Sequence, residues 1–309
     1  MKVSIIGTGT VGSAFAFRLF TSGIASEIAL INRSQSKALG DMADLTNALA
    51  GASKTKIYSG DYRACKNSDI VVITAGPAMK PGQTRLDLIK SNYSILKSIA
   101  SSVMEYNSDC ILLLVSNPVD ILTQLAIKFS GLPAGKVIGA GTLLDSMRLR
   151  SSLSIHYNVD PTDVYTFVVG EHGDSMVPIW SLATIGGIPL AAFPEYDKEE
   201  MDDLFMMARK SAHYIKQKKG ATEFGVAVAV QTIVEAIYYD KRQILPVSSL
   251  IDGYYGLKNI CISVPVIVGK NGVERCFEIP ISSSEKAALQ DSAIILEGYL
   301  GNLDNESQS

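Results

Sequence analysis

The feature that most constrains this chain is Gly7-Thr8-Gly9-Thr10-Val11-Gly12, set between the apolar run Val3-Ser4-Ile5-Ile6 and the helical spacing Val11, Phe15, Leu19. A second apolar run, Ile28-Ala29-Leu30-Ile31, follows, so the N-terminal segment reads as strand, glycine turn, helix, strand. Without those flanks the same string would be an ordinary glycine turn. Within them the glycines permit a tight turn, close approach of the backbone to a pyrophosphate and close helix–strand packing. The helix N-terminus adds amides and the positive end of its dipole. The pattern therefore predicts dinucleotide binding at Gly7, Gly9, Thr10, Val11 and Gly12.

Further apolar runs at Ile70–Ile73, 111–115 and Val137-Ile138 alternate with helical stretches, as in a parallel sheet covered by helices on both faces. Beyond about residue 142 the pattern changes. A strand over 164–169 leads to a charged helix over Lys198–Lys219 and then to strands over 260–268 and 273–277, joined by a hairpin at Lys270-Asn271-Gly272. The expected architecture is α/β: an N-terminal Rossmann domain with a doubly wound parallel sheet (residues 1–141), followed by an α+β substrate or catalytic domain (residues 142–309). The polar segment 302–309 is expected to fray.

Charge argues against two classes of partner. With 28 basic against 31 acidic residues the net charge is −3, which gives no footprint for nucleic acid or an anionic membrane. The apolar stretch 111–127 is interrupted by Asn117, Pro118 and Asp120, and glycines break up the N-terminal run, so neither a membrane span nor a secretion leader is expected. The four cysteines are scattered and form no CxxC pair, which fits reduced thiols in a cytoplasmic protein.

At the end of the second apolar run, where an NAD-binding protein usually places an acid for the ribose hydroxyls, this chain has Asn32, followed by Arg33, Ser34 and Ser36. A neutral amide cannot repel a 2′-phosphate, and a cation with hydroxyl donors stands beside it. The expectation is therefore NADP(H) ahead of NAD(H).

Gly170-Glu171-His172-Gly173-Asp174-Ser175 contains one of three histidines, held between glycines and suited to acid–base work near neutral pH. Upstream, Asp145 and Arg148 stand three apart on one helical face, the spacing of an intrahelical ion pair. Five ordered segments now coincide: Gly7 to Gly12, Lys80-Pro81-Gly82-Gln83-Thr84-Arg85-Leu86-Asp87, Ser116-Asn117-Pro118-Val119-Asp120, residues 141–148, and Gly170 to Ser175. Together they resemble the signatures of lactate/malate dehydrogenases, closest in motifs to bacterial L-lactate dehydrogenases, over nearly the whole chain. The resemblance implies that His172 donates a proton to a substrate carbonyl, that Asp145 orients it, and that Arg148 grips the substrate carboxylate. It further implies that Arg85, on a mobile loop, polarises the carbonyl and that Asn117 bonds near the carbonyl and the nicotinamide ribose. Thr222 and Val226 match residues flanking the nicotinamide ring. The implied reaction is hydride transfer between a nicotinamide cofactor and a small 2-oxo or L-2-hydroxy acid, with no metal, in a homodimer or homotetramer.

Two departures qualify the resemblance. Met79 stands where lactate dehydrogenases carry Gln and malate dehydrogenases carry Arg, and a thioether leaves a second substrate carboxylate unpaired. An apolar substrate side chain is expected. Arg150 matches a residue that sugar-bisphosphate-activated bacterial relatives use at a subunit interface, but their companion histidine is Tyr165 here, which leaves half a phosphate site. Reuse of the scaffold as an imine (C=N) reductase, or as a non-catalytic dinucleotide sensor, would not require the full set of Arg85, Asp145, Arg148 and His172.

Overall fold

The apolar runs of the first half become the parallel strands β1 (Lys2–Ile6), β2 (Glu27–Ile31), β4 (Ile70–Ile73), β5 (Ile111–Leu114) and β6 (Val137–Gly139), and a strand that no apolar run marked, β3 (Lys56–Gly60), pairs with β2. The computed structural model describes residues 1–52, 54–77 and 82–306. Between the strands lie α1 (Thr10–Ser22), α2 (Gln35–Asn47), α3 (Leu49–Ala52), α4 (Arg85–Tyr106) and α5 (Val119–Ser130). Every residue of β4 and β5 is buried, because helices cover both faces of a parallel sheet.

The strand order β6-β5-β4-β1-β2-β3 positions the site. From β1 the chain moves outward to β3 and then returns to place β4 on the other side of β1. Right-handed crossovers put the helices before and after that return on opposite faces, so a crevice opens at the C-terminal ends of β1 and β4. The glycine turn lies in this crevice. Gly7 has φ +101°, and a Cβ there would lie 2.6 Å from the Ala75 amide nitrogen, just beyond β4.

In the second half come α6 (Leu143–Tyr157), the short strands β7 (Val164–Tyr165), β8 (Val168–Val169), β9 (Val177–Pro178), β10 (Thr184–Ile185) and β11 (Ile188–Pro189), then α7 (Lys198–Lys219) and α8 (Phe224–Tyr238). The antiparallel strands β12 (Gln243–Ile251), β13 (Ile260–Gly269) and β14 (Gly272–Cys276) precede α9 (Ser283–Glu306). These three strands do not form a separate sheet. β12 meets β6 at Ser248 and Gly139 and extends the parallel sheet, so a nine-stranded sheet and its core cross the division near residue 141. A smaller core joins Leu149 and Leu153 of α6 to Val164, Ile185, Met201 and Phe205.

Besides the unmarked β3, the structure differs from the sequence expectation at several points. The segment 164–169 is two strands: Val164-Tyr165 pairs with β10, Val168-Val169 pairs with β9, and the chain changes sheets at Thr166, whose hydroxyl donates to the Ile179 carbonyl. β12 gave no strand signal because Pro246 and the polar pair Ser248-Ser249 interrupt its apolar pattern, yet Pro246 sits opposite Pro265 in register. Of the segment 302–309, where fraying was expected, the part through Glu306 is helical, with Leu303 buried, and 307–309 lie outside the described residues.

The closest backbone approach in the glycine turn yields a test. A Cβ at Gly12 would stand 2.1 Å from the Gly7 carbonyl oxygen and 2.8 Å from Thr74 Oγ1. Gly12→Ala should therefore cost about 1–3 kcal/mol through overpacking of α1 on β1. Denaturant unfolding measures this, and an unchanged midpoint would show that α1 has room to move.

Candidate active site

The glycine turn leads into a helix end with no side-chain cap. Gly9 precedes α1 without a side-chain cap, and the first intrahelical amide bond runs from Ser13 N–H to the Gly9 carbonyl, which leaves the amides of Thr10, Val11 and Gly12 for an anion. A Cβ at Gly9 would meet nothing within 4 Å. Beside the turn, Asn32 is committed locally. Its Nδ2 donates to Thr8 Oγ1 at 2.8 Å and its Oδ1 accepts from the Ser34 amide at 2.9 Å. Arg33 and Ser34 are exposed.

The centre of the site is the buried carboxylate of Asp145, in the first turn of α6. Its Oδ2 lies 2.6 Å from His172 Nδ1 and its Oδ1 accepts from Arg148 Nη1 at 2.9 Å. Helical spacing explains the arginine, since residues three apart share a face. The histidine comes from the turn after β8, and hydroxyl groups join the two elements. Thr142 Oγ1 donates to the Val168 carbonyl at 2.5 Å, and Ser146 Oγ accepts from the Val168 amide at 2.8 Å. Gly170, at φ +93°, then bridges to Ser263 of β13 and turns the chain toward the site.

The electrostatics follow from this arrangement. Burial draws the His172 imidazole toward its neutral form, but the charge and hydrogen bond of Asp145, helped by Asp120, outweigh burial and raise its pKa above the ordinary imidazole value. Burial likewise opposes the charge on Asp145, yet His172 and Arg148 hold its carboxyl below the usual carboxylate range. The His172 side chain keeps 25% exposure, so part of the ring is open to a ligand.

Arg85, the first residue of α4, reaches the same turn. Its Nη1 lies 2.6 Å from Glu171 Oε1, and its Nη2 donates to the His172 carbonyl at 3.2 Å. The ring of Tyr299 lies 5.8 Å from its guanidinium carbon. A Cβ at Gly173 would fall 2.6 Å from Arg85 Nη1, so the glycine after His172 makes room for this arginine. Asn117 is exposed at the turn between β5 and α5, its carbonyl accepting from Asn92 Nδ2 at 2.8 Å. Among the described residues, the buried Asn92 Oδ1 has no hydrogen-bond partner, and it stands next to Gly76 at the crevice. Thr222 precedes α8 and Val226 lies in its first turn, where a Cβ on the neighbouring Gly225 would meet Leu144, the residue before Asp145. Met79 lies outside the described residues. Arg150 donates to the Pro161 carbonyl at 3.2 Å and lies over the exposed Tyr165 ring at 5.5 Å.

Several contributors had no assigned role in the sequence reading. Asp120 and Glu171 stood inside recognised segments, but nothing in their spacing showed that Asp120 bonds the His172 amide or that Glu171 pairs with Arg85. Ser292 and Tyr299 of α9 carried no signal. Ser292 Oγ accepts from the Glu171 amide at 2.8 Å and meets Ser175 Oγ at 2.9 Å. Among the described residues no group of acids, histidines and cysteines forms a metal site, and no helix is long and apolar enough to cross a membrane.

Residues 1–139 match the lactate/malate dehydrogenase NAD binding domain, and residues 142–304 match the lactate/malate dehydrogenase alpha/beta C-terminal domain. The chain is 45% identical over 307 residues to L-lactate dehydrogenase 1 of Clostridium acetobutylicum, covering 98% of each chain. It is 45% identical over 308 residues to the L-lactate dehydrogenase of Acetivibrio thermocellus, covering 98% of this chain and 97% of that one. Among solved structures it superimposes at TM-score 0.95 on the minor L-lactate dehydrogenase of Enterococcus mundtii, at 39% identity over 97% of this chain and 98% of that chain. A lactate dehydrogenase from a Medee basin deep-sea metagenome library also gives TM-score 0.95, at 36% identity and 98% coverage of both chains.

The paired pKa shifts predict a pH signature. His172 holds its proton more tightly folded than unfolded, so its stabilisation is complete below the ordinary imidazole pKa and fades as pH rises through the raised value. Asp145 does the reverse: its stabilisation is present above the ordinary carboxylate value and is lost as pH falls through the depressed one. Asp145→Asn should therefore lose most stability between the two ranges and less at either end. Unfolding free energies across pH check this, and a deficit independent of pH would mean that the pair is not ionised.

Proposed function

The chain belongs to the lactate/malate dehydrogenase family, and we propose that it reduces a small 2-oxo acid to the L-2-hydroxy acid with His172 as proton donor. The observation that carries this reading is the single buried Asp145 carboxylate bonded at once to the His172 ring and the Arg148 guanidinium. It ties the proton donor to the substrate anchor at a fixed spacing. A bound dihydronicotinamide supplies the hydride that C2 of the substrate accepts.

The residues of this chain divide the remaining work. Arg148 binds the substrate carboxylate through guanidinium donors not used by Asp145, and a planar fork suits a carboxylate better than an ammonium does. His172, protonated through its bond to Asp145, gives its proton to the carbonyl oxygen as that oxygen gains charge. Arg85 polarises the same oxygen. Gly7, Gly9, Thr10, Val11 and Gly12 hold the pyrophosphate, Asn32, Arg33 and Ser34 border the adenine-side ribose, and Asn117, Thr222 and Val226 border the nicotinamide.

For the cofactor we favour NAD(H) and set aside the NADP(H) preference inferred from Asn32. Both ends of the Asn32 amide are engaged within the chain, by Thr8 and by Ser34, and the N-terminal domain matches an NAD binding domain. The apolar side chain of Met79 supports a substrate with one carboxylate. A homodimer or homotetramer in the cytoplasm completes the proposal.

His172→Asn should reduce turnover by ~10²–10⁴-fold while leaving NADH binding, followed by fluorescence, close to that of the parent. Near-parental turnover would remove the mechanism. In a panel of 2-oxo acids assayed with both cofactors, NADH should give the higher kcat/KM, and pyruvate or larger alkyl 2-oxo acids should outperform oxaloacetate. Preference for NADPH would restore the reading of Asn32 and Arg33 as a phosphate site.

A further inference from the structure

Asp120, the second residue of α5, is buried to 1% exposure behind the His172 turn. Its Oδ2 accepts from the His172 backbone amide at 2.8 Å, and its Oδ1 stands 3.4 Å from Ser263 Oγ. Ser263 Oγ itself accepts from the Thr142 amide at 3.2 Å, which directs its hydroxyl hydrogen toward Asp120. Donors thus point at both carboxylate oxygens, the arrangement an ionised acid requires.

We propose that Asp120 is a positioning residue for the proton step: its carboxylate fixes the main chain that carries the His172 ring and supplies a second negative charge that favours the protonated imidazole. The inference rests on the reading of His172 as proton donor. The His172 peptide is then held at both ends, since its amide is bound by Asp120 and its carbonyl by Arg85, which is paired with Glu171. The ring is held separately by Asp145.

The other charged or titratable groups around the turn give the field in which Asp120 acts. Asp145 and Arg148 come from α6, Arg85 from α4, Glu171 and Asp174 from the turn itself, and Cys261 from β13, while Arg209 of α7 donates to the Asp174 carbonyl at 2.9 Å. Burial holds the Cys261 thiol well above its usual value, so it adds no charge. Burial also raises the Asp120 carboxyl, opposed by the hydrogen bond from the His172 amide and by the charge of His172. Asp120 is among the charges that raise His172, and Arg148 opposes them.

The test is the pH profile of kcat/KM for 2-oxo acid reduction, which declines at high pH as His172 loses its proton. Asp120→Asn preserves shape and can still accept from the His172 amide, but it removes the charge, so the decline should move to lower pH. A purely structural role would lower kcat/KM without moving the profile, and that result overturns the proposal. In the unmodified protein, the ¹³Cγ signal of Asp120 should report a carboxylate through the active pH range even if the variant does not fold. A protonated Asp120 there also overturns it. Loss of the His172 mechanism is read separately, from turnover of His172→Asn.

Discussion

One carboxylate with two cationic partners organises the candidate site of this molecule. Asp145 lies too deep for water to solvate its charge, so its ionisation depends on His172 and Arg148, and that of His172 is favoured by it in turn. Removing either partner would leave a buried charge under-compensated, which is why three side chains from two separate elements behave as one unit. The surrounding hydroxyls have a related role. Thr142, Ser146 and Ser263 satisfy backbone groups where α6, β8 and β13 converge, and they fix the spacing between acid and imidazole without adding charge.

The sheet supplies the other half of the arrangement. Its reversal between β1 and β4 opens the crevice, and the turns after β1 and β5 bring Gly9 and Asn117 to its rim. Extension of the sheet by β12 and β13 carries Ser263 under the His172 turn, so that turn rests on the same sheet as the glycine turn. A hydride transfer needs its two reactants held at close, constant separation, and a shared sheet provides that better than two domains on a flexible linker.

Legibility in the sequence followed the range of the interactions. The glycine turn, the parallel strands other than β3 and the Asp145–Arg148 pair are set by neighbours within a few residues, and they were readable from spacing alone. The family resemblance brought His172 and Arg85 into the same site, a long-range contact that periodicity does not encode. Asp120 bonding His172 across 52 positions, and Ser292 supporting Glu171 across 121, left no local trace. The surroundings of Asn32 were hidden for a related reason: its residue type is compatible with a 2′-phosphate, and its amide is engaged by Thr8, 24 positions away. Pro246 concealed β12 because its cost to a strand is local, while the pairing that accommodates it, opposite Pro265, is not.

The measurement that bears most directly on this account is the ¹⁵N titration of the His172 ring in the unmodified protein, free of substrate. Asp145 and Asp120 should hold the imidazolium against burial, so the midpoint should lie above that of an exposed histidine, with Nδ1 keeping its proton throughout through its bond to Asp145. A midpoint at or below the ordinary imidazole value would show that burial prevails, and that the buried carboxylate does not control the site.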